Sequence, residues 1–465
     1  MSEQSTLTDA MAQFAVSTHH FPVLARQRAR DALIDCTGCM LAGSREPLAG
    51  ILTSAFATQD TASAACPSPL IGVARYAAPA DAALYNGTLG HALDYDDTNH
   101  PAYAHPTTVL AAAMFAILPH VSVSGRQLID AYIVGFEFFG KLGRALNTQH
   151  YKRGWHTTGT FGALAAAAAT GRLLGLDADQ MRIALAIAAS GASGLRANFG
   201  TMVKPLHAGQ AARNGVFAAL LAQAGFTAND DIMGHRYGYV EVFNAKIDRQ
   251  TEPLGQLGTD LEILTEHGLA LKPYPACGAT HPGIEAAERL FLELKGRRIR
   301  SVRAGVSEMA FSPLIYVMPD TPLQGKFSLH FCIAAALTYG NVSLSTFREE
   351  VIEDARVRDL ICRITMELDA RWKDDGEFAT EVAVTLEDGA VLRQFVPLAQ
   401  GKPARWFSEE RLHAKFDDCT DALDARQACV ALRECLFYLD TAPDCNALAL
   451  CLAALSANPH AMEKA

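Results

Sequence analysis

Phe161-Gly162-Ala163-Leu164-Ala165-Ala166-Ala167-Ala168-Ala169-Thr170 decides the fold. Alanine is the strongest intrinsic helix former, and a run of small side chains lets neighbouring helices approach closely. A segment of this kind predicts a helix packed inside other helices rather than a strand of a nucleotide-binding sheet. Outward from it the helical texture continues. Upstream, Ser124 with Gln127 is a capping-box signature ahead of Leu128, Ala131, Gly135, Phe138 and Leu142. Downstream, Asp177 with Gln180 repeats the device ahead of Ile183 to Ala189. Both helices read as mostly buried, and Gly171, Gly175 and Gly225 sit where helices should stop.

Near residue 270 the period changes. After a helix over about Pro282 to Lys295, Val302-Arg303-Ala304-Gly305-Val306 alternates with period two. Glu381-Val382-Ala383-Val384-Thr385-Leu386 does so before an Asp388-Gly389 turn. From about Phe407 the chain returns to helix and ends in the apolar stretch Ala447 to Leu455. The expectation is a mainly α protein: a large all-helical domain over 1–270 and 407–465, with a smaller α+β domain over 271–406 inserted into it.

With 465 residues, 50% hydrophobic and 19% charged, the chain can bury large cores. A net charge of -10 without a basic cluster argues against nucleic acid and against a polybasic membrane footprint. The N-terminal residues Met1 to Thr6 are polar, and no uninterrupted apolar run reaches the roughly eighteen residues of a membrane span. The expected location is cytoplasmic. Eleven cysteines are scattered. Cys36-Thr37-Gly38-Cys39 falls within a helical pattern and lacks a second ligand pair, and Cys332, Cys429 and Cys451 lie among apolar neighbours, so core packing is the reading for them.

Chemistry concentrates between His91 and Pro106, where Asp94, Asp96, Asp97, His91, His100 and His105 fall within sixteen residues. Ionisable groups so crowded shift one another's pKa values, and apolar sequence on both sides predicts a half-buried site. Four constellations follow. Gly154-Trp155-His156-Thr157-Thr158-Gly159 places an imidazole just before a helix, where backbone N–H groups receive anions. Met202 to Gly209 sets Lys204 before proline at another helix start. Lys272 to Pro282 is a proline-stiffened segment carrying Lys272, Tyr274, Cys277 and His281. Gln324 to Ser328 contains Lys326.

In this order and over most of the chain, the acidic His-Pro motif, Gly-Trp-His-Thr-Thr, Lys-Pro-Leu-His-Ala-Gly and Lys-Pro-Tyr-Pro-Ala-Cys-Gly-Ala-Thr-His-Pro resemble the motifs of the MmgE/PrpD family. The resemblance implies a helical domain with an α+β lid, an active site in the cleft between them, a homodimer and no organic cofactor. Members include 2-methylcitrate dehydratases, cis-aconitate decarboxylases and an iminodisuccinate epimerase. Asp94, Thr98, His105, His156, Lys204 and His281 match the positions that line the family's site.

These reactions move a proton at carbon beside a carboxylate, and negative charge then develops on oxygen. Lys204 and Lys272 suit that charge. His105, His156 and His281 suit proton transfer, because imidazole titrates near working pH. Catalytic roles are assigned to His105, His156, Lys204, His281 and Asp94, and substrate contacts to Thr98, His100, Lys272 and Tyr274.

Plainer readings stand beside these. Asp96 and Asp97 read as caps or as orienters of a histidine, and His207 as structural. A divalent ion held by Asp94, Asp96, Asp97, His100 and His105 is the rival mechanism, but the spacing matches no established metal motif, and no metal is assigned. A non-catalytic polycarboxylate-binding protein would need the cations but not three imidazoles. The acidic motif is compact, whereas propionate-pathway dehydratases carry a longer insertion between the positions of His100 and His105. Chain length and segment spacing fit the epimerase branch. Epimerisation of iminodisuccinate is therefore the first expectation, with 2-methylcitrate dehydration or cis-aconitate decarboxylation as the lyase alternatives.

Overall fold

The computed structural model describes residues 6–17, 20–56, 68–73, 75–244, 251–373 and 377–455. The polar N-terminal residues through Ser5 lie outside them. The chain divides into two compact units, Met1–Leu271 with Ser408–Ala465, and Lys272–Phe407.

In the first unit the alanine-rich run lies in the helix Thr157–Leu173, where Arg172 alone is not buried. The helix Pro106–Ile117 is buried along its whole length. Such all-round burial is what small, apolar side chains on every face allow. The helix Val203–Gln223 packs against both Thr157–Leu173 and Pro79–His91. Glycines set the closeness of these contacts. A Cβ on Gly87 would lie 3.0 Å from the Cα of Gly209, and one on Gly209 would lie 2.1 Å from the carbonyl oxygen of Leu84.

Both capping boxes form. The Gln127 N–H donates to Ser124 Oγ at 3.2 Å ahead of the helix Gly125–Leu146, and the Gln180 N–H donates to Asp177 Oδ1 at 2.8 Å ahead of Ala178–Gly191. Only the first of these helices is mostly buried; the second buries one side, including Met181, Leu185 and Ala188.

Gly175 and Gly225 have φ of +71° and +86° and end their helices as expected. Gly171 does not, because the helix continues to Leu173; a side chain there would meet Met181 Cε at 2.8 Å. Cys36 and Cys39 are fully buried in the helix Val23–Gly43, as are Cys332 and Cys429 in theirs, while Cys451 is half-buried.

Two short antiparallel ribbons, Ser68–Leu70 with Arg75–Ala77 and Thr98–Asn99 with Leu269–Ala270, are set into the helical body. They are too short for periodicity to announce. The C-terminal helices Glu409–Thr420, Arg426–Phe437 and Asn446–Ala454 belong to this unit, the first packing on Val23–Gly43. Among the described residues no helix is long and apolar enough to cross a membrane.

The second unit is α+β. Its four-stranded sheet runs in the order Ile364–Leu368, Ile299–Val306, Thr380–Leu386, Val391–Val396, parallel in the first pair and antiparallel in the others. The helices His281–Leu294 and Leu329–Tyr339 pack on it, burying Ile284, Leu290, Phe331, Val302 and Val384. The hairpin across Asp388-Gly389 forms, with Gly389 at φ +86°. Clean alternation of burial appears only on the edge strand Val391–Val396. On the inner strand Thr380–Leu386, even Glu381 is buried, accepting from Arg371 at 2.9 Å and from Arg303 and Arg393 at 3.3 Å.

Candidate active site

The acidic stretch forms the link between the helices Pro79–His91 and Pro106–Ile117. His91 closes the first helix and is buried, its Nδ1 lying 3.0 Å from both oxygens of Asp96. Asp94 turns the chain at φ +54°, a left-handed conformation that a short polar side chain tolerates better than most. Asp97 Oδ1 accepts the backbone N–H of Thr107 at 3.1 Å and so ties the link to the second helix. Burial, together with the neighbouring Asp96, pushes the Asp97 carboxyl well above the usual carboxylate range.

Beneath the link lies a buried ion pair. Lys415 Nζ is 2.6 Å from Asp35 Oδ1, donates to the Tyr95 carbonyl at 2.7 Å and sits 4.0 Å over the Tyr95 ring. Burial raises the Asp35 carboxyl from its ordinary 3.8 to about 6, Lys415 opposing and Asp96 and Asp31 assisting. Between those values the folded state keeps a proton that the unfolded chain has lost. The stability this confers is complete below about pH 4 and disappears as pH rises through about 6. The stability of the protein relative to Asp35→Asn should therefore fall between pH 4 and 6 in urea unfolding. A difference that stays flat across this window would place the titration elsewhere.

Three helix starts meet at the link. His105 is the residue before the helix Pro106–Ile117, and its backbone N–H donates to Thr158 Oγ1 at 3.1 Å. Its Nδ1 lies 3.5 Å from Asp96 Oδ2, its Nε2 3.8 Å from Asp94 Oδ1, and its ring centroid 4.2 Å from that of His91. His156 is the residue before Thr157–Leu173, which is stapled to the link by a Thr157 hydroxyl donating to the Tyr103 carbonyl at 2.7 Å.

Lys204 is the second residue of Val203–Gln223, and its Nζ donates to Asp94 Oδ1 at 2.8 Å. Burial alone would lower the Lys204 pKa, but Asp94, with Asp96 and Tyr151, together outweigh it and raise the ammonium above its ordinary range. His156 is pushed well below the usual imidazole range, first by burial and then by His91 and Lys204. The site thus sets a persistent cation beside a neutral imidazole, with Phe199 edge-on to His156 at 4.9 Å and 5.6 Å from Lys204 Nζ.

Asp94, His105, His156 and Lys204 are therefore brought together within the first unit. Thr98 is half-buried on the ribbon facing Ala270. The His100 ring packs against His267 at 5.5 Å and Tyr103 at 5.4 Å. In the second unit, Lys272 is buried, the Tyr274 hydroxyl donates to Glu288 Oε2 at 2.7 Å, and His281 Nε2 lies 3.0 Å from the Ala276 carbonyl with its ring 5.6 Å from that of Tyr274. The Cys277 N–H donates to the Lys326 carbonyl at 2.9 Å, joining the two motif segments of this unit.

Sequence reasoning passed over Asp35 and Lys415. The available signal was a lone carboxylate in the apolar run Ala32 to Cys36. His91, Asp94, Asp96 and His105 each offer an atom within 4.8 Å of the others, a spacing that suits a metal ion. That set differs from the one the sequence suggested, because Asp97 caps a helix and His100 packs on His267.

A mainly helical body thus gathers imidazoles, carboxylates and an ammonium at converging helix starts, groups able to move protons and to meet negative charge. Residues 9–251 match the MmgE/PrpD N-terminal domain and residues 274–436 the MmgE/PrpD C-terminal domain. The chain belongs to the MmgE/PrpD family. It is 28% identical over 472 residues to a cis-aconitate decarboxylase of Aspergillus terreus, covering 95% of this chain and 94% of that one. It is 30% identical to the mouse cis-aconitate decarboxylase, covering 73% and 71%. A 2-methylcitrate dehydratase of Cupriavidus necator is 25% identical, covering 79% and 80%.

Proposed function

We propose that this protein is a lyase that decarboxylates cis-aconitate or a close tricarboxylate analogue. The observation that carries the reading is the Lys204–Asp94–His105 array beside a neutral His156, in a chain that aligns along nearly its whole length with a protein named for that reaction. In such a reaction the bond to the departing carboxylate breaks as CO2 leaves. Its electron pair shifts through the adjacent double bond, and a proton is delivered to the carbon next to a remaining carboxylate. The Lys204 ammonium meets the charge that builds on that carboxylate, and it is already in place before charge appears. His105 or His156 supplies the proton. The three helix starts favour the substrate's other carboxylates.

Epimerisation of iminodisuccinate, the first expectation from sequence, draws no support from these relatives, which are named as decarboxylases and a dehydratase. Dehydration of 2-methylcitrate is the second reading, favoured by the Cupriavidus necator relative. By family resemblance the enzyme works without an organic cofactor, as a cytoplasmic homodimer, and with Thr98, His100, Lys272, Tyr274 and His281 contributing to substrate binding or proton transfer.

Incubation with cis-aconitate, 2-methylcitrate and iminodisuccinate in deuterated water, followed by NMR, tests the proposal. The expected result is loss of one carboxyl carbon from cis-aconitate, with a single deuterium in the product. An alkene formed from 2-methylcitrate without carbon loss would establish dehydration instead. Inversion of iminodisuccinate with an intact skeleton would restore the epimerase.

A further inference from the structure

His207 sits one turn into the helix Val203–Gln223, buried, and its Nδ1 lies 3.0 Å from Nδ1 of His156. Two ring nitrogens at that distance form a hydrogen bond only when one carries hydrogen and the other does not. The contact therefore couples the two rings: whichever carries hydrogen on Nδ1, the other must accept there. It engages Nδ1 of His156, so Nε2 is the ring nitrogen left to act on substrate.

The backbone around the pair is shaped to it. The His156 N–H donates to the Gly194 carbonyl at 2.9 Å, and Gly194 adopts φ +135°. A Cβ at Gly194 would lie 3.3 Å from His207 Cγ and 3.4 Å from His156 Cβ, so the absence of a side chain gives the His207 ring room beside His156. Burial pushes both imidazoles below their usual range, which keeps the pair from being doubly charged.

We propose that His207 is a positioning residue: by holding Nδ1 of His156 it fixes the aim of that ring and ties its tautomer to its own, and so biases which form Nε2 presents to substrate. A ring packed only for structure would not need a nitrogen at this point. The inference rests on His156 acting in the lyase reaction proposed above, but the tautomer itself can be read without substrate.

The test compares His207→Leu, which removes the partner, with His207→Asn, whose amide places donor and acceptor near the position of Nδ1. Each full-length variant is labelled with 15N-histidine, the His156 signals being assigned by their absence in His156→Gln. The expected result is that His207→Leu changes the His156 nitrogen shifts from one neutral tautomer toward a mixture. Turnover of cis-aconitate should drop by roughly 10- to 100-fold, the scale seen when a partner orienting a functional histidine is removed. KM should change by less than about threefold and the pH profile of kcat should shift, while His207→Asn recovers most of both readouts. Unchanged His156 shifts in folded His207→Leu would overturn the proposal, and so would equal losses in both variants with the pH profile intact. If cis-aconitate is not turned over even by the unmodified protein, the lyase reading fails, and the nitrogen shifts still decide the role of His207.

Discussion

Lys204→Met should lower turnover of the proposed tricarboxylate substrate by roughly 10² to 10³, the cost of deleting a fixed donor aimed at developing charge. The substitution keeps an apolar chain of similar length, so the helix start at Val203 and the packing against Phe199 have no reason to change. What disappears is the ammonium 2.8 Å from Asp94. The Asp94 carboxylate then faces the substrate's own carboxylates without its counter-ion, so KM should rise as kcat falls. Steady-state kinetics together with a thermal melt would check this. Turnover within about fivefold of the original in a folded variant would remove Lys204 from the site.

A second large loss is expected for His105→Gln, roughly 10² to 10⁴ in kcat, as for a positioned acid–base group. The ring is held by three neighbours, Asp94, Asp96 and His91, within a half-buried setting, and glutamine keeps hydrogen-bonding capacity there while losing the ability to titrate. If His105 delivers the proton, deuterium incorporation should fall in step with carbon loss. Should carbon loss continue while deuterium enters normally, the proton comes from elsewhere, and His156 becomes the donor.

The parts of this molecule that were legible from sequence are those governed by neighbours along the chain. Ser124 with Gln127 and Asp177 with Gln180 announced their helices because a capping box is closed within four residues. The Asp388-Gly389 turn announced its hairpin for the same reason. Gly171 misled because the same residue type serves a left-handed stop and a close packing contact, and only the tertiary neighbour Met181 distinguishes them. The parallel pairing of Ile299–Val306 with Ile364–Leu368 joins strands more than fifty residues apart and left no local trace.

Of the candidate site, the crowding between His91 and Pro106 was visible, and reading Asp96 and Asp97 as a histidine's orienter or a cap agrees with Asp96 on His91 and Asp97 on the Thr107 N–H; the distant partners were not visible. Asp94 meets Lys204, more than a hundred positions away. Lys415 is further still from the Tyr95 carbonyl it holds, so no spacing rule could connect them.

The gap between Asp94 and Lys204 is calibrated by missing carbon. Asp94 follows the helix that carries Gly87, Lys204 opens the helix that carries Gly209, and the two helices approach so closely there that a methyl group on Gly209 would strike the Leu84 carbonyl. The gauge of the candidate site is therefore written on a seam that holds none of its ionisable groups. A single methyl inserted there would act as a shim, prising the cation away from its carboxylate by a fraction of an ångström while every acid and base stayed in the sequence. Attempts to retune the Asp94–Lys204 spacing have their adjusting screw at that seam, not among the histidines.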